Sequence, residues 1–200
     1  MSQPVRIGAR GRGDTRDKLL AAARRLFAER GYHATRPQDI AREAGVAIGT
    51  FYLYFADKWL IFRAFVEQAH GELRSAVSAR AGAVEGLGPK LEAALDAVLD
   101  YGAAHPGVLR AAFTDAGVIG PEASGEATLA DRLAADLARD LIQRQHSGGI
   151  HADYDPELIA QAIVGMMHQA AIYCVRQGAG RRALLDNLTR FCVRGLVPQS

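Results

Sequence analysis

Several absences narrow what this chain can be. Its 200 residues include only two cysteines, Cys174 and Cys192. Both fall in apolar helical patterns, which reads them as small buried hydrophobes and not as a disulfide framework or metal site. No apolar run reaches the ~18 residues of a membrane span. No apolar stretch follows the Arg- and Gly-rich N-terminus, so no secretory signal and no membrane partner are expected, and the chain is expected in the cytoplasm. No glycine-rich phosphate loop follows a strand, no Gly-x-Ser-x-Gly elbow is present, and metal ligands are not paired. These absences argue against an enzyme, and no cofactor is expected. His146 and His151 flank a glycine loop, but a metal site there would need further ligands at suitable spacing. Alternating β patterns and internal repeats are lacking as well.

What remains is apolar, helical and unevenly charged. Hydrophobic residues make up 49% of the chain, enough for a packed core. Net charge is only +2, yet residues 1–63 hold 12 Lys and Arg against 6 Asp and Glu, while residues 64–200 hold 12 against 16. A front end of +6 on a body of −4 points to a polyanion met at the front. Residues 1–13, with Arg6, Arg10 and Arg12 among glycines, are expected to form a flexible basic arm. Asp14 is then the expected cap of a first helix striped by Leu19, Leu20, Ala23, Leu26 and Phe27, which stops at Gly31.

A second helix is expected from about Pro37 to Ala44. Its cap is open between Thr35, which forms a capping box with Gln38, and Arg36, which would place Pro37 at the first helical position. Gly45 ends it, and a third helix without a Ser, Thr, Asn or Asp cap runs from Ala47 to Phe55. Asp57 caps a long fourth helix. Further helices are expected at roughly 89–104, 106–117, 122–146, 156–177 and 181–196. They are separated by glycine and proline punctuation, and the 156–177 helix opens on Asp155-Pro156-Glu157.

A short helix, a glycine turn and a second short helix rich in hydroxyls form the pattern of a helix-turn-helix. Ile40, Ala41, Val46 and Phe51 are expected to face inward, with Ala44-Gly45 letting the two helices approach. The run Leu19 to Phe27, then Gly31-Tyr32, Asp39-Ile40-Ala41, Ala44-Gly45-Val46, Gly49 to Phe55, Asp57-Lys58 and Phe62 resembles the tetracycline-repressor (TetR) family of bacterial regulators. The resemblance covers about a quarter of the chain. It implies an all-α fold. Residues 14–63 would form an N-terminal three-helix bundle with the helix-turn-helix, and residues 64–200 a larger helical domain for ligand binding and dimerisation.

It also implies site residues. Thr50, Tyr52 and Lys58 match positions that clamp the sugar-phosphate backbone. Tyr54 matches one that contacts backbone or base edge, and Gly49 lets the backbone come close to DNA. Two departures stand out. Arg36 occupies a position that more often carries a capping Thr or Ser, at a helix N-terminus where the dipole disfavours a cation. Ile48 stands where polar residues commonly read bases. With Leu53, it predicts apolar contact with thymine methyls, leaving polar readout to Arg36, Gln38 and Tyr54. The alternative has Leu53 packing inward and DNA shape supplying specificity.

For the body, the resemblance implies a homodimer on a palindromic operator in double-stranded DNA. The dimer helices would carry Leu158, Ala162, Met166, Leu184, Leu188 and Phe191. A small-molecule effector is expected among polar groups on apolar helices: Tyr101, Arg110, His168, Gln169 and Tyr173. The function expected is a repressor released from its operator by that effector. The alternatives are an activator, or a regulator without a small-molecule effector that is architectural or controlled by a protein partner.

Overall fold

The computed structural model describes residues 9–115, 128–177 and 180–198. Among them the chain is helical without strands: α1 (Ala9–Arg30), α2 (Pro37–Glu43), α3 (Ile48–Tyr54), α4 (Lys58–Ala81), α5 (Leu87–Ala104), α6 (Val108–Arg110) running into a π turn (Ala111–Asp115), α7 (Leu129–His146), α8 (Pro156–Gln177) and α9 (Arg181–Leu196). Residues 1–8 of the expected arm lie outside the described residues, as do 122–127 of the expected 122–146 helix. Residues 9–13 of that arm are helical, so α1 starts earlier than expected and Asp14 is not its cap. Asp14 instead accepts from the Lys18 ammonium at 2.6 Å, one helical turn on.

The residues divide into two compact units, with divisions after Ala69 and after His105. The sequence placed the boundary at residue 63; the first unit runs on to Ala69 and also takes in α6 and its π turn. Its helices are held by aromatic packing. Phe27, Phe62 and Phe65 form a fully buried trio with ring centroids 5.1–5.7 Å apart. Tyr32 adds an edge contact to Phe62 at 4.9 Å, and Trp59 lies 5.8 Å from the same ring. Helices as short as α2 and α3 do not persist on propensity alone; Ile40, Ala41, Phe51 and Phe55, all buried, root them in this core.

The start of α6 presses on the end of α1. Gly107 has φ +82, and a Cβ there would lie 2.2 Å from the Ala28 carbonyl oxygen, so only glycine fits. Arg110 donates to the same oxygen at 2.8 Å.

The second unit packs α7 along α8 and α5 along α9. One apolar cluster joins Leu87, Leu91, Ala134, Ala138, Leu141, Ile150, Ala160, Ile163, Cys192 and Leu196; another joins Leu95, Leu184 and Leu185. The starts of α7 and α8 are capped by side chains. The Thr128 hydroxyl accepts from the Asp131 N–H at 3.1 Å while the Asp131 carboxylate takes the Thr128 N–H at 2.8 Å. The Asp155 carboxylate accepts from Glu157 and Leu158 N–H at 2.9 and 3.2 Å, as the Asp-Pro-Glu signal requires. Exposed Arg80 and Arg181 grip Asp96 and Asp100, tying α4, α5 and α9 together. Among the described residues, no helix is long and apolar enough to cross a membrane.

Candidate nucleic-acid interface

The cap of α2 resolves to Arg36, whose backbone is extended with Pro37 next in line. A guanidinium cannot accept a hydrogen bond, so the helix start is served by Asp39: its carboxylate takes the Arg36 N–H at 3.3 Å and the Arg42 guanidinium at 2.5 Å. Thr35 is fully buried, and its hydroxyl donates to the Gly31 carbonyl at 2.8 Å. It ties off the end of α1 and is not a cap for α2.

The turn between α2 and α3 is a Schellman motif. Val46 N–H donates to Ala41 carbonyl at 2.9 Å, and Gly45 N–H to Arg42 carbonyl at 3.1 Å. Gly45 has φ +69, but a Cβ there would meet nothing within 4 Å. The expectation that this glycine serves close helix approach is therefore corrected: the left-handed backbone requires it, not the space.

α3 follows from Ala47 with no side-chain cap. Phe51 and Phe55 turn inward, and the opposite face is open: Ile48 is 38% exposed, Tyr52 50% and Leu53 80%. Leu53 does not pack inward. Gly49 shares the open face, and a Cβ there would meet nothing within 4 Å. Thr50 and Tyr54 are half-buried, at the margins of that face, while Arg36 and Gln38 are exposed at the start of α2.

Lys58 opens α4 after Asp57, which accepts the Leu60 N–H at 2.8 Å. Its ammonium donates to the Tyr32 carbonyl at 3.0 Å and stands 4.0 Å from the centre of the Tyr32 ring. Burial pushes the Lys58 pKa below its ordinary value, and burial, then the Asp57 carboxylate, pushes the Tyr32 phenol up. The ammonium is thus fixed in position while retaining N–H groups for an outside acceptor. Sequence reasoning missed this pairing. A partner 26 positions away leaves no periodic signal.

The comparisons with known proteins bear on this same segment. The family model described as "Bacterial regulatory proteins, tetR family" matches residues 19–65. The uncharacterized HTH-type transcriptional regulator YdgC of Bacillus subtilis is 25% identical over 191 residues, 93% of this chain and 94% of that one. The chain belongs to the TetR family of transcriptional regulators. The HTH-type transcriptional activator FasR of Mycolicibacterium smegmatis is 28% identical over 81% of this chain and 73% of its own. FadR of Bacillus subtilis, solved with stearoyl-CoA, has the same fold: TM-score 0.74 at 23% identity, covering 90% of this chain and 98% of that one. As a TetR-family member the chain is a DNA-binding regulator and not an enzyme.

The body residues named from the sequence lie at different depths. Tyr101 is buried, its hydroxyl donating to Glu72 at 2.7 Å. Arg110 belongs to the first unit, bound to Ala28. On α8, His168 is half-buried, with burial lowering its pKa, while Gln169 and Tyr173 are exposed. The five therefore occupy unlike environments, because helical spacing assigns a face but not a depth. Of the expected dimer residues, Leu158, Ala162 and Phe191 are exposed and Leu188 is half-buried. Met166 is partly buried against the larger cluster, and Leu184 is buried beside Leu95 and Leu185. Among the described residues, no group of three or more His, Cys, Asp or Glu could hold a metal.

Proposed function

We propose that this regulator acts as a homodimer on a palindromic operator, represses by occupying it, and leaves it when a small molecule binds the helical body. Residues 14–63 with the basic arm form the reading head, and residues 64–200 form the ligand-binding and dimerisation body. The observation that carries the reading is the open face of α3 beside the anchored Lys58 ammonium. Thr50, Tyr52 and Lys58 grip phosphate, Gly49 admits the backbone, and Arg36, Gln38, Ile48, Leu53 and Tyr54 face base edges.

A single head spans a short half-site, so two copies set about 34–36 Å apart supply the specificity. The exposed apolar side chains of α8 and α9 support that pairing: Leu158 at 67% exposure and Phe191 at 69% are costly to leave in water. The effector acts by binding two arrangements of the dimer unequally. Stearoyl-CoA is the first compound to test, because the similarly folded FadR was solved with it.

The test selects duplexes from a random library with the purified full chain. The expected product is a two-fold symmetric site bound with a Kd that rises steeply with salt. Failure to enrich any duplex even in dilute salt would end the reading. FasR, named an activator, favours a second reading in which the same dimer recruits transcription. Reporter output with the selected site placed over or upstream of a promoter separates the two.

A further inference from the structure

We infer that Leu53 reads the 5-methyl group of one thymine in each half-site, an assignment that rests on the DNA-binding reading above. α3 is Ile-Gly-Thr-Phe-Tyr-Leu-Tyr, with no Arg, Lys, Asn or Gln on it. Bidentate recognition of guanine or adenine in the major groove requires those side chains. This helix therefore has no means of making the commonest specific contacts. Its open face offers the Tyr52 hydroxyl, those of Thr50 and Tyr54 at the margins, and the apolar carbon of Ile48 and Leu53.

Of the two apolar side chains, Ile48 is 38% exposed and Leu53 80%. Gly49 precedes Leu53 by one helical turn, and the space above its Cα is empty to 4 Å. Leu53 thus stands one turn from an open position that no side chain fills. A leucine so placed gains nothing from its own chain, and the only apolar group a base pair presents in the major groove is the thymine methyl. The charge surplus of residues 1–63 favours a polyanionic occupant over a second copy of this face. Arg36 and Gln38, exposed at the start of α2, are left to read the polar edges of flanking pairs.

Deoxyuridine pairs like thymidine but lacks the methyl. The experiment takes the highest-affinity duplex selected by the full chain and replaces its thymines with deoxyuridine, one symmetric pair at a time. Kd is measured at fixed salt for the native chain and for Leu53→Ala. One replacement should weaken the native chain about fourfold per half-site, the value of burying one methyl group. Leu53→Ala should be weaker on the native duplex and indifferent to that replacement, so the two losses fail to add. Its melting temperature should match the native chain, because the side chain is exposed.

If no replacement changes the Kd by twofold, or Leu53→Ala keeps the full uracil penalty, the assignment is overturned while DNA binding stands. A changed oligomeric state in Leu53→Ala with uracil sensitivity intact would assign the leucine to a contact between copies and overturn it as well. Failure to select any duplex removes the DNA-binding reading and this one together.

Discussion

The two compact units hold their helices in different ways. In the first, two seven-residue helices are pinned by a shared aromatic cluster and by backbone motifs that tolerate little change. In the second, longer helices meet through aliphatic clusters, side-chain caps and exposed ion pairs. The contrast follows from length. A seven-residue helix contributes about two turns and too few hydrogen bonds to offset its own nucleation, so tertiary anchors must supply its stability. An 18- or 22-residue helix spreads the same burden over many interchangeable contacts. The first unit therefore rests on a few specific residues, and the second on many contacts of similar kind.

The strongest way to break this comparison is to remove one anchor from each unit. Phe62 touches Phe27, Tyr32, Trp59 and Phe65, so Phe62→Ala should cost about 3–5 kcal/mol in chemical denaturation. Leu185→Ala, in the smaller body cluster, should fall at the low end of about 2–5 kcal/mol, because partly buried Leu99, Leu188 and Met167 can close over the gap. Equal losses would mean that the aromatic core is no more demanding than the aliphatic one. Gly107→Ala should come next, at more than about 2 kcal/mol, since it combines a left-handed backbone with a Cβ driven into the Ala28 carbonyl. A neutral result would show that α6 can withdraw from α1 without penalty.

The two glycines of the head sharpen the contrast by having opposite signs. Gly45→Ala forces a side chain into φ +69 in open space and should cost about 1–2 kcal/mol. Gly49→Ala adds a methyl to a helix with nothing nearby, and should stabilise the fold by about 0.5 kcal/mol. Under the proposed reading it should nonetheless weaken operator binding, since the methyl would stand between the helix backbone and the DNA. Thermal melts and duplex titrations of the two variants check both halves. Unimpaired binding by Gly49→Ala would detach that position from the interface.

The same division explains what could be read from the sequence. The helix-turn-helix was legible because each position does one job: Gly45 turns, Phe51 and Phe55 anchor, Asp57 caps. Even there, the cap of α2 stayed open between Thr35 and Arg36, because only three-dimensional placement shows Thr35 spending its hydroxyl on the end of α1. In the body, periodicity located α8 and α9 but not their depth. Leu184 and Phe191 lie seven positions apart on one stripe, yet one is buried and the other exposed. A helix of 3.6 residues per turn drifts by about 20° over seven, and neighbouring helices decide which end of the stripe they cover. Arg110 was misplaced for another reason: its partner on α1 lies 82 residues earlier.

The smallest expected effect probes the body's exposed ion pairs. The guanidinium of Arg181, then that of Arg80, holds the Asp100 carboxyl down to about 2. In the unfolded chain the same group titrates near ~3.9. A folded value below the unfolded one means the pair stabilises the fold in full above about pH 5, and the contribution disappears as pH falls through the interval between the two values. The melting temperature of Asp100→Asn should therefore lie slightly below that of the native chain at neutral pH, with the gap closing as pH approaches about 2.5. Because the groups are exposed, about 1 M salt should also narrow the gap at neutral pH. Melts across pH at low and high salt measure both trends. A gap that survives acid and salt would mean that Asp100 acts through fixed hydrogen-bond geometry and not through charge, and the body would then share the head's dependence on individual residues.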